Sequence, residues 1–194
     1  MISMTVNRIH NSATAQRRQR QIEDCLYEKL LHTPWQSISV ADICRQVGIS
    51  RKAYYNYYPD KDACFAAYVD RVLRDTVLES SQSLPVNASP LEASAALLEQ
   101  WKQRKDFIRI LVDNHLLNLL ISQAIQYVLT EDRALQELLS TDEIPTDVDI
   151  LACYTAIQMT LILQWYGRDF DTPTLEMAKK FQRLIHEPLI SVVG

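Results

Sequence analysis

Hydrophobic and polar residues follow the period of an α-helix along most of the chain. Near the beginning, Ile22, Leu26 and Leu30 recur at steps of four, which places them on one side of a helix. The same kind of spacing predicts helices through the rest of the sequence. The predicted segments are 12–32, 40–47, 51–57, 60–81, 90–103, 105–113, 115–130, 133–140, 148–167 and 173–193.

Capping residues mark the ends of the short segments near the beginning of the chain. Ser39 and Ser50 precede 40–47 and 51–57, where a hydroxyl can accept a hydrogen bond from the first turn of a helix. Gly48 follows the first of these segments and can adopt the left-handed conformation that ends a helix. The sequence therefore predicts two short helices separated by a tight turn.

Glycine is scarce, with 3 Gly in 194 residues. Sheet proteins and glycine-rich phosphate loops need more glycine, whereas helices exclude it because it costs about 1 kcal/mol relative to alanine. We therefore predict an all-α protein of about nine helices. The polar stretch 83–90, SLPVNASP, is the clearest linker-like segment.

Charge is divided unevenly along the chain. Residues 1–61 contain 9 Lys and Arg against 5 Asp and Glu, whereas 62–194 contain 11 against 19. A basic front on an acidic body suggests an anionic partner for the front alone, and the alternative is a chance asymmetry of solvated charges.

No pattern of residues indicates catalysis, a metal or a cofactor. The four cysteines are widely spaced without a CxxC pair, and each falls in an apolar helical stretch, so we expect buried thiols. The four histidines lie in no metal-ligand spacing, and there is no GxSxG elbow. The longest apolar stretch, 116–129, is shorter than the roughly 20 residues of a membrane span. We expect a cytoplasmic protein that does not enter a membrane and is not an enzyme.

Two short helices joined across a glycine and preceded by a longer helix have the spacing of a helix-turn-helix. The second helix of that motif lies in the major groove of DNA. Arg51, Lys52, Tyr55 and Asn56 fall on one face of 51–57. Arginine can bind guanine and asparagine can bind adenine with two hydrogen bonds. The sequence therefore predicts a DNA-reading surface on this helix.

Phosphate contacts are predicted beside this surface. Ser37 and Ser39 stand at the entry to 40–47, where hydroxyls and a helix N-terminus can bind a phosphate. Lys61, at the start of the next helix, is a further candidate.

The segment SISVADICRQVGISRKAYYNYYPDKDACFAAY resembles the DNA-binding segment of the TetR family of bacterial repressors. The resemblance covers about residues 12–68. It is carried by matches at Ser39, Ile43, Gly48, Ser50, Tyr55, Tyr58 and Lys61. It implies that 12–62 is the DNA-binding domain and 63–194 a domain for effector binding and dimerisation. Residues 1–11 are polar without helical periodicity, so we interpret them as a flexible N-terminal arm.

The resemblance also implies roles for individual residues. Contacts to the DNA backbone are implied for Ser39, Tyr55, Tyr57 and Lys61. Contacts to base edges are implied for Arg51, Lys52 and Asn56. This helix is unusually aromatic for the family, and we expect Tyr54 and Tyr58 to face inward and Tyr55 and Tyr57 to face outward.

The segment 150–166 is apolar nearly all round, with only four polar residues, which indicates burial on more than one side. A second subunit explains such a helix, and a purely internal core position is the alternative. Together with 173–193 it predicts a homodimer, which would read a palindromic operator.

An effector pocket among the middle helices is implied by the resemblance. Its candidate lining residues are Trp101, Phe107, His115, Tyr127, Gln158, Met159 and Trp165. Each of the large side chains also suits an ordinary core. His115 belongs to a polar strip with Asn118, Ser122 and Gln126, and such a strip is more typical of a solvent-exposed face than of a pocket lining.

Two functions follow from these observations. The first is a nucleoid-associated repressor released from DNA by a small-molecule effector. The second is a DNA-bound adaptor of the same fold whose large domain binds a protein.

Overall fold

The computed structural model describes residues 13–130 and 148–186. Within these ranges the regular secondary structure is helical throughout, which confirms the predicted all-α class. A 3₁₀ turn at Trp35–Ser37 precedes the second helix. The helices are α1 (Ala13–Leu30), α2 (Val40–Val47), α3 (Arg51–Tyr55), α4 (Lys61–Gln82), α5 (Pro90–Gln103), α6 (Lys105–Asp113), α7 (Leu117–Thr130), α8 (Val148–Tyr166) and α9 (Thr174–His186).

The predicted caps define the turn between α2 and α3. Ser39 accepts a hydrogen bond from the amide of Asp42 at the start of α2, and Ser50 accepts one from the amide of Ala53 in α3. Gly48 ends α2 with φ of 74°, a left-handed conformation that costs glycine little. These three residues fix the two short helices as the sequence predicts.

Three helix boundaries differ from the prediction by two residues. α1 ends at Leu30 rather than at 32, because the amides of His32 and Thr33 both donate to the carbonyl of Lys29 in a closing turn. α3 ends at Tyr55 rather than at 57, because the amides of Tyr57 and Tyr58 both donate to the carbonyl of Tyr54 and tighten the last turn. α7 begins at Leu117 rather than at 115, because His115 has φ of 58° and closes the end of α6. The predicted arm 1–11, the predicted helix 133–140 and the end of the last predicted helix lie outside the described residues.

The chain divides into two compact units between Arg71 and Val72, inside α4. The predicted domain boundary after residue 62 lies at the start of that helix. The later division has a physical reason, since Cys64, Phe65 and Val69 on the first half of α4 are fully buried. The first half of α4 therefore belongs to the core of the N-terminal unit.

In the N-terminal unit, α1 packs on α2 and α2 packs on α3. Its core contains Ile22 and Leu26 of α1, Ile43 of α2 and Tyr54 of α3, each with no exposed surface. The hydrophobic positions predicted on α1 are thus the ones that hold the short helices in place.

In the C-terminal unit, α9 packs mainly on α5 and α8 packs mainly on α7. The Thr174 hydroxyl donates to a carboxylate oxygen of Glu99 at 2.5 Å and ties the start of α9 to α5. The Arg104 guanidinium donates to Glu79 at 2.6 Å and ties α5 to the second half of α4.

The residues of α8 divide into a buried and an exposed side. The buried side consists of Thr155, Gln158, Met159, Ile162 and Trp165. The exposed side consists of Cys153, Ile157, Thr160 and Gln164. The expectation of a buried thiol is therefore wrong at Cys153, because this residue lies on the outer side of α8. Among the described helices, none has the length and hydropathy required to cross a membrane.

Candidate nucleic-acid interface and internal cavity

The outer face of α3 carries the side chains predicted to read DNA. Arg51, Lys52, Tyr55 and Asn56 are exposed, and Tyr55 keeps 53% of its surface accessible. Tyr54, on the opposite side of the same helix, is completely buried. α3 therefore combines an anchoring aromatic ring with an outward row of hydrogen-bonding groups.

Tyr54 and Tyr58 face inward, as predicted. The Tyr54 hydroxyl donates to the carbonyl of Asp60 at 3.0 Å, and the Tyr58 hydroxyl donates to a carboxylate oxygen of Glu23 at 2.6 Å. Burial raises the pKa of both phenols far above the ordinary range. Both tyrosines therefore act as neutral donors that fix the end of the helix-turn-helix.

Tyr57 is half-buried rather than fully outward. Its amide is tied to the carbonyl of Tyr54 at 2.9 Å, in the tightened turn that ends α3. Of the two tyrosines predicted to face outward, Tyr55 thus offers the larger accessible ring.

A buried ionic cluster connects the end of the helix-turn-helix to α1 and α4. Glu23, buried on α1, accepts hydrogen bonds from Tyr58 and from the Arg71 Nε at 2.8 Å. The same guanidinium pairs with Asp24 and lies over the Tyr68 ring. The carboxylate of Glu23 is thereby paired and hydrogen-bonded, as burial of a charge requires.

Ser39 is engaged within the chain at the position predicted to contact phosphate. Its hydroxyl donates to Asp42 Oδ2 at 2.5 Å, and its backbone amide donates to the same oxygen at 3.2 Å. These bonds lower the pKa of Asp42, so a carboxylate occupies this side of the α2 N-terminus. Ser37, in the preceding turn, is exposed.

Lys61 is likewise engaged within the chain. Its ammonium donates to the carbonyl of Trp35 at 2.6 Å and to that of Ile38 at 3.0 Å. It also lies 4.3 Å from the centre of the Trp35 ring, in a cation–π geometry. Two of its three donors therefore hold the 3₁₀ turn that leads into α2.

A cavity of about 30 Å³ lies within the C-terminal unit, between α4, α5, α7 and α8. Four of the predicted lining residues surround it, namely Trp101, Tyr127, Gln158 and Met159. These residues come from three different helices, and each is buried.

Three other predicted lining residues are absent from the described cavity wall. Phe107 is buried on α6, which contributes no wall residue. Trp165 is fully buried near the end of α8, where its indole donates to the carbonyl of Thr172 at 3.1 Å. His115 is exposed because it lies in the turn between α6 and α7.

The contribution of α4 to the cavity escaped the sequence analysis. Leu73, Thr76 and Val77 face the cavity at i, i+3 and i+4, the spacing of one helix face. The periodicity predicts an inward face there, but it does not distinguish a residue beside a cavity from one in solid packing. Among the described residues, no group of three potential metal ligands comes together.

Comparison with solved structures identifies the fold. The chain superposes on the fatty acid degradation regulator FadR from Bacillus halodurans with a TM-score of 0.55 and 14% identity, over 89% of this chain and 96% of that one. It superposes on Thermus thermophilus FadR, a TetR-family repressor in complex with lauroyl-CoA, with a TM-score of 0.51 and 18% identity. That alignment covers 88% of this chain and 94% of the other.

A third similar structure, from Syntrophomonas wolfei, is provisionally assigned to the TetR family of transcriptional regulators. The TM-score is 0.52 at 14% identity, with 90% of this chain and 98% of that chain covered. No protein-family model matches the sequence, and no curated relative matches it either. The chain therefore has the TetR fold, an N-terminal helix-turn-helix followed by a larger helical domain.

Proposed function

We propose that this protein is a DNA-binding transcriptional regulator, a repressor that binds a palindromic operator as a homodimer. The observation that carries the proposal is the outward row formed by Arg51 and Lys52 on the second helix of a helix-turn-helix and by Asn56, the residue that caps its end. The fold shared with known regulators supports it. A cytoplasmic location on the bacterial nucleoid follows from such a role.

In this proposal, α3 lies in the major groove and reads base edges. Arg51 would bind guanine, and Asn56 would bind adenine, each with paired hydrogen bonds. Lys52 would contact base edges, and Tyr55 and Tyr57 would contact the DNA backbone. The buried Tyr54 ring fixes the orientation of α3 within the N-terminal unit. This packing contact therefore does not have to form when DNA binds.

Ser39 and Lys61 are weaker candidates for contacts to phosphate than the sequence suggests. The Ser39 hydroxyl donates to Asp42, and two of the three Lys61 donors bind backbone carbonyls. Ser37, exposed in the turn before α2, is the simpler candidate for a backbone contact.

Control by a small molecule is the second part of the proposal. The apolar cavity is the observation that favours an effector over an adaptor that binds only a protein. At about 30 Å³ it is smaller than an ordinary ligand pocket, so an effector would have to enlarge it by moving its walls. α4 runs unbroken from Lys61 to Gln82, and its second half forms one wall of the cavity. A ligand that moves this wall would shift the first half of the same helix and so bias the state that fits DNA.

The experiment that tests DNA reading compares Arg51→Ala and Asn56→Ala with wild type. Each substitution should cost about 1–3 kcal/mol on the preferred operator and relax the base preference at one symmetric pair of positions. The measurement is a titration of each protein against the operator and a scrambled duplex at several salt concentrations.

Arg45→Ala is the matched control, because Arg45 is exposed on α2 and pairs with Asp42. It should leave base preference unchanged. Equal losses on operator and scrambled DNA for Arg51→Ala and Asn56→Ala would refute base reading by α3.

A further inference from the structure

We propose that the cavity binds a small uncharged ligand whose apolar body carries one hydrogen-bond acceptor, held by the side-chain amide of Gln158. This inference depends on the proposed function in one respect, namely that the ligand acts as the effector that controls DNA binding. Its support comes from the polarity of the wall, one unpartnered donor and the volume of the cavity.

The cavity wall is apolar and uncharged over the described residues. Its apolar residues include Leu73 and Val77 of α4, Leu97 and Trp101 of α5, and Met159 of α8. Lys, Arg, His, Asp and Glu do not occur among the described wall residues. A charged group entering this space would lose its hydration without gaining a charged partner, so the wall disfavours a charged ligand.

Gln158 provides a donor that the described residues leave unused. The side chain is 6% exposed, and its Nε2 is buried without a hydrogen-bond partner within the described part of the chain. An unsatisfied buried amide carries an uncompensated desolvation penalty. A ligand oxygen that accepts from Nε2 recovers this energy, which an aliphatic ligand does not.

Thr76, the polar wall residue on α4, has its hydroxyl donor occupied. The Thr76 hydroxyl donates to the carbonyl of Val72 at 2.6 Å, within its own helix. Thr155 and Tyr127 take part in contacts of their own. Gln158 is therefore the wall residue that favours a ligand acceptor over a ligand donor.

The volume of the cavity links binding to movement. About 30 Å³ accommodates one or two water molecules, so a ligand with several carbon atoms must push the walls apart. Met159 is the most adaptable of the wall side chains, because it is unbranched and has three rotatable bonds.

The test uses three probes that share a benzene ring, namely acetophenone, ethylbenzene and benzoate. Calorimetry measures their affinities for the full chain without DNA. In Gln158→Met, which keeps the length but removes the donor, the affinity for acetophenone relative to ethylbenzene should fall about tenfold. Benzoate should bind at least tenfold more weakly than acetophenone to wild type.

Gln164→Met is the matched control, because Gln164 is exposed on the same helix. It should leave the ratio of acetophenone to ethylbenzene affinities unchanged. If Gln158→Met does not fold, NMR of wild type provides the second measurement. The Gln158 side-chain amide signal should move with acetophenone and stay in place with ethylbenzene.

An unchanged affinity ratio in Gln158→Met, tighter binding of benzoate than of acetophenone, or no binding of any probe would overturn the inference. The operator titration is independent of these measurements. If the protein does not bind operator DNA but still discriminates between the probes, the proposed regulator function alone is refuted. If the protein binds operator DNA but does not discriminate between the probes, the proposed ligand class alone is refuted.

Discussion

At the scale of single residues, a side chain can match a motif while its donors are used within the chain. Lys61 stands where the TetR resemblance implies a contact to DNA, yet its ammonium binds two backbone carbonyls and faces an indole ring. Ser39 matches as well, and its hydroxyl binds Asp42. Both residues shape the entry to α2, so we expect a substitution at either one to affect folding as well as any contact to DNA.

Lys61→Met should lower the free energy of unfolding by about 1–3 kcal/mol, because two carbonyl oxygens lose a charged donor. Lys52→Met is the control, since Lys52 is exposed on α3, and it should change stability by less than about 0.5 kcal/mol. Urea denaturation followed by circular dichroism measures both. Unchanged stability of Lys61→Met, with weaker binding to every DNA sequence, would instead support a pure phosphate contact.

The residue-level predictions succeeded where periodicity decides the outcome. The inward positions of Tyr54 and Tyr58 follow from helical spacing, and both tyrosines are buried. The partners of Lys61 could not be predicted, because the carbonyls of Trp35 and Ile38 become available only when the 3₁₀ turn folds against α4.

At the scale of elements, two helices begin with the same reciprocal cap. Ser39 and Asp42 form it at α2, and Ser89 and Glu92 form it at α5. In each case, hydrogen bonds from the serine lower the pKa of the carboxyl. Because the folded pKa lies below the unfolded one, each carboxylate stabilises the fold above the unfolded pKa. This contribution disappears as the pH falls through the folded pKa.

We expect the double variant Asp42→Asn, Glu92→Gln to lose less stability than wild type when the pH falls from about 5 to about 2. Asp75→Asn serves as the control, because Asp75 is exposed in the middle of α4 and should leave the profile unchanged. Urea midpoints measured across this range provide the comparison. Parallel profiles for wild type and the double variant would show that the caps are not the acid-sensitive groups.

Helix ends were predicted best where one residue sets the backbone conformation. Gly48 ends α2 in the left-handed region as its chemistry requires. The start of α7 was missed because His115 adopts a positive φ, which few non-glycine residues do. The early end of α3 depends on the tightened turn at Tyr57 and Tyr58, which periodicity alone does not reveal.

At the scale of the whole molecule, the two sides of α8 separate the proposed ligand site from the proposed dimer surface. Gln158 and Met159 belong to the cavity wall, whereas Ile157 is 37% exposed on the outer side. Phe181 of α9 has the apolar character expected of an interface, but it is 3% exposed within one chain. A test of association must therefore use the outer side of α8.

Ile157→Asp should convert the proposed dimer to a monomer at micromolar concentration while the helical content stays unchanged. The physical reason is that a carboxylate would be buried in an apolar interface. Val86→Asp is the control, because Val86 is fully exposed and should leave the dimer intact. Sedimentation velocity distinguishes the two results, and a monomeric wild type would refute the dimer.

The global organisation was predicted in outline. The fold class follows from glycine scarcity and helical periodicity, and four cavity residues were anticipated. The division of the chain inside α4 was not predicted, because it depends on which core Phe65 and Val69 join. The placement of Trp165 away from the cavity depends on its bond to Thr172, a contact across a turn whose shape the sequence does not specify.

The carboxylate of Asp42 has a consequence for how a regulator of this kind would find its operator. It pairs with Arg45 at 3.1 Å and so offsets one positive charge near the start of α2. In the proposed function, fewer counterions would then be released on contact with arbitrary DNA, whereas the base contacts of α3 would be unaffected. Each stop on a wrong sequence would be shorter, and the regulator would spend more of its search time moving between sites.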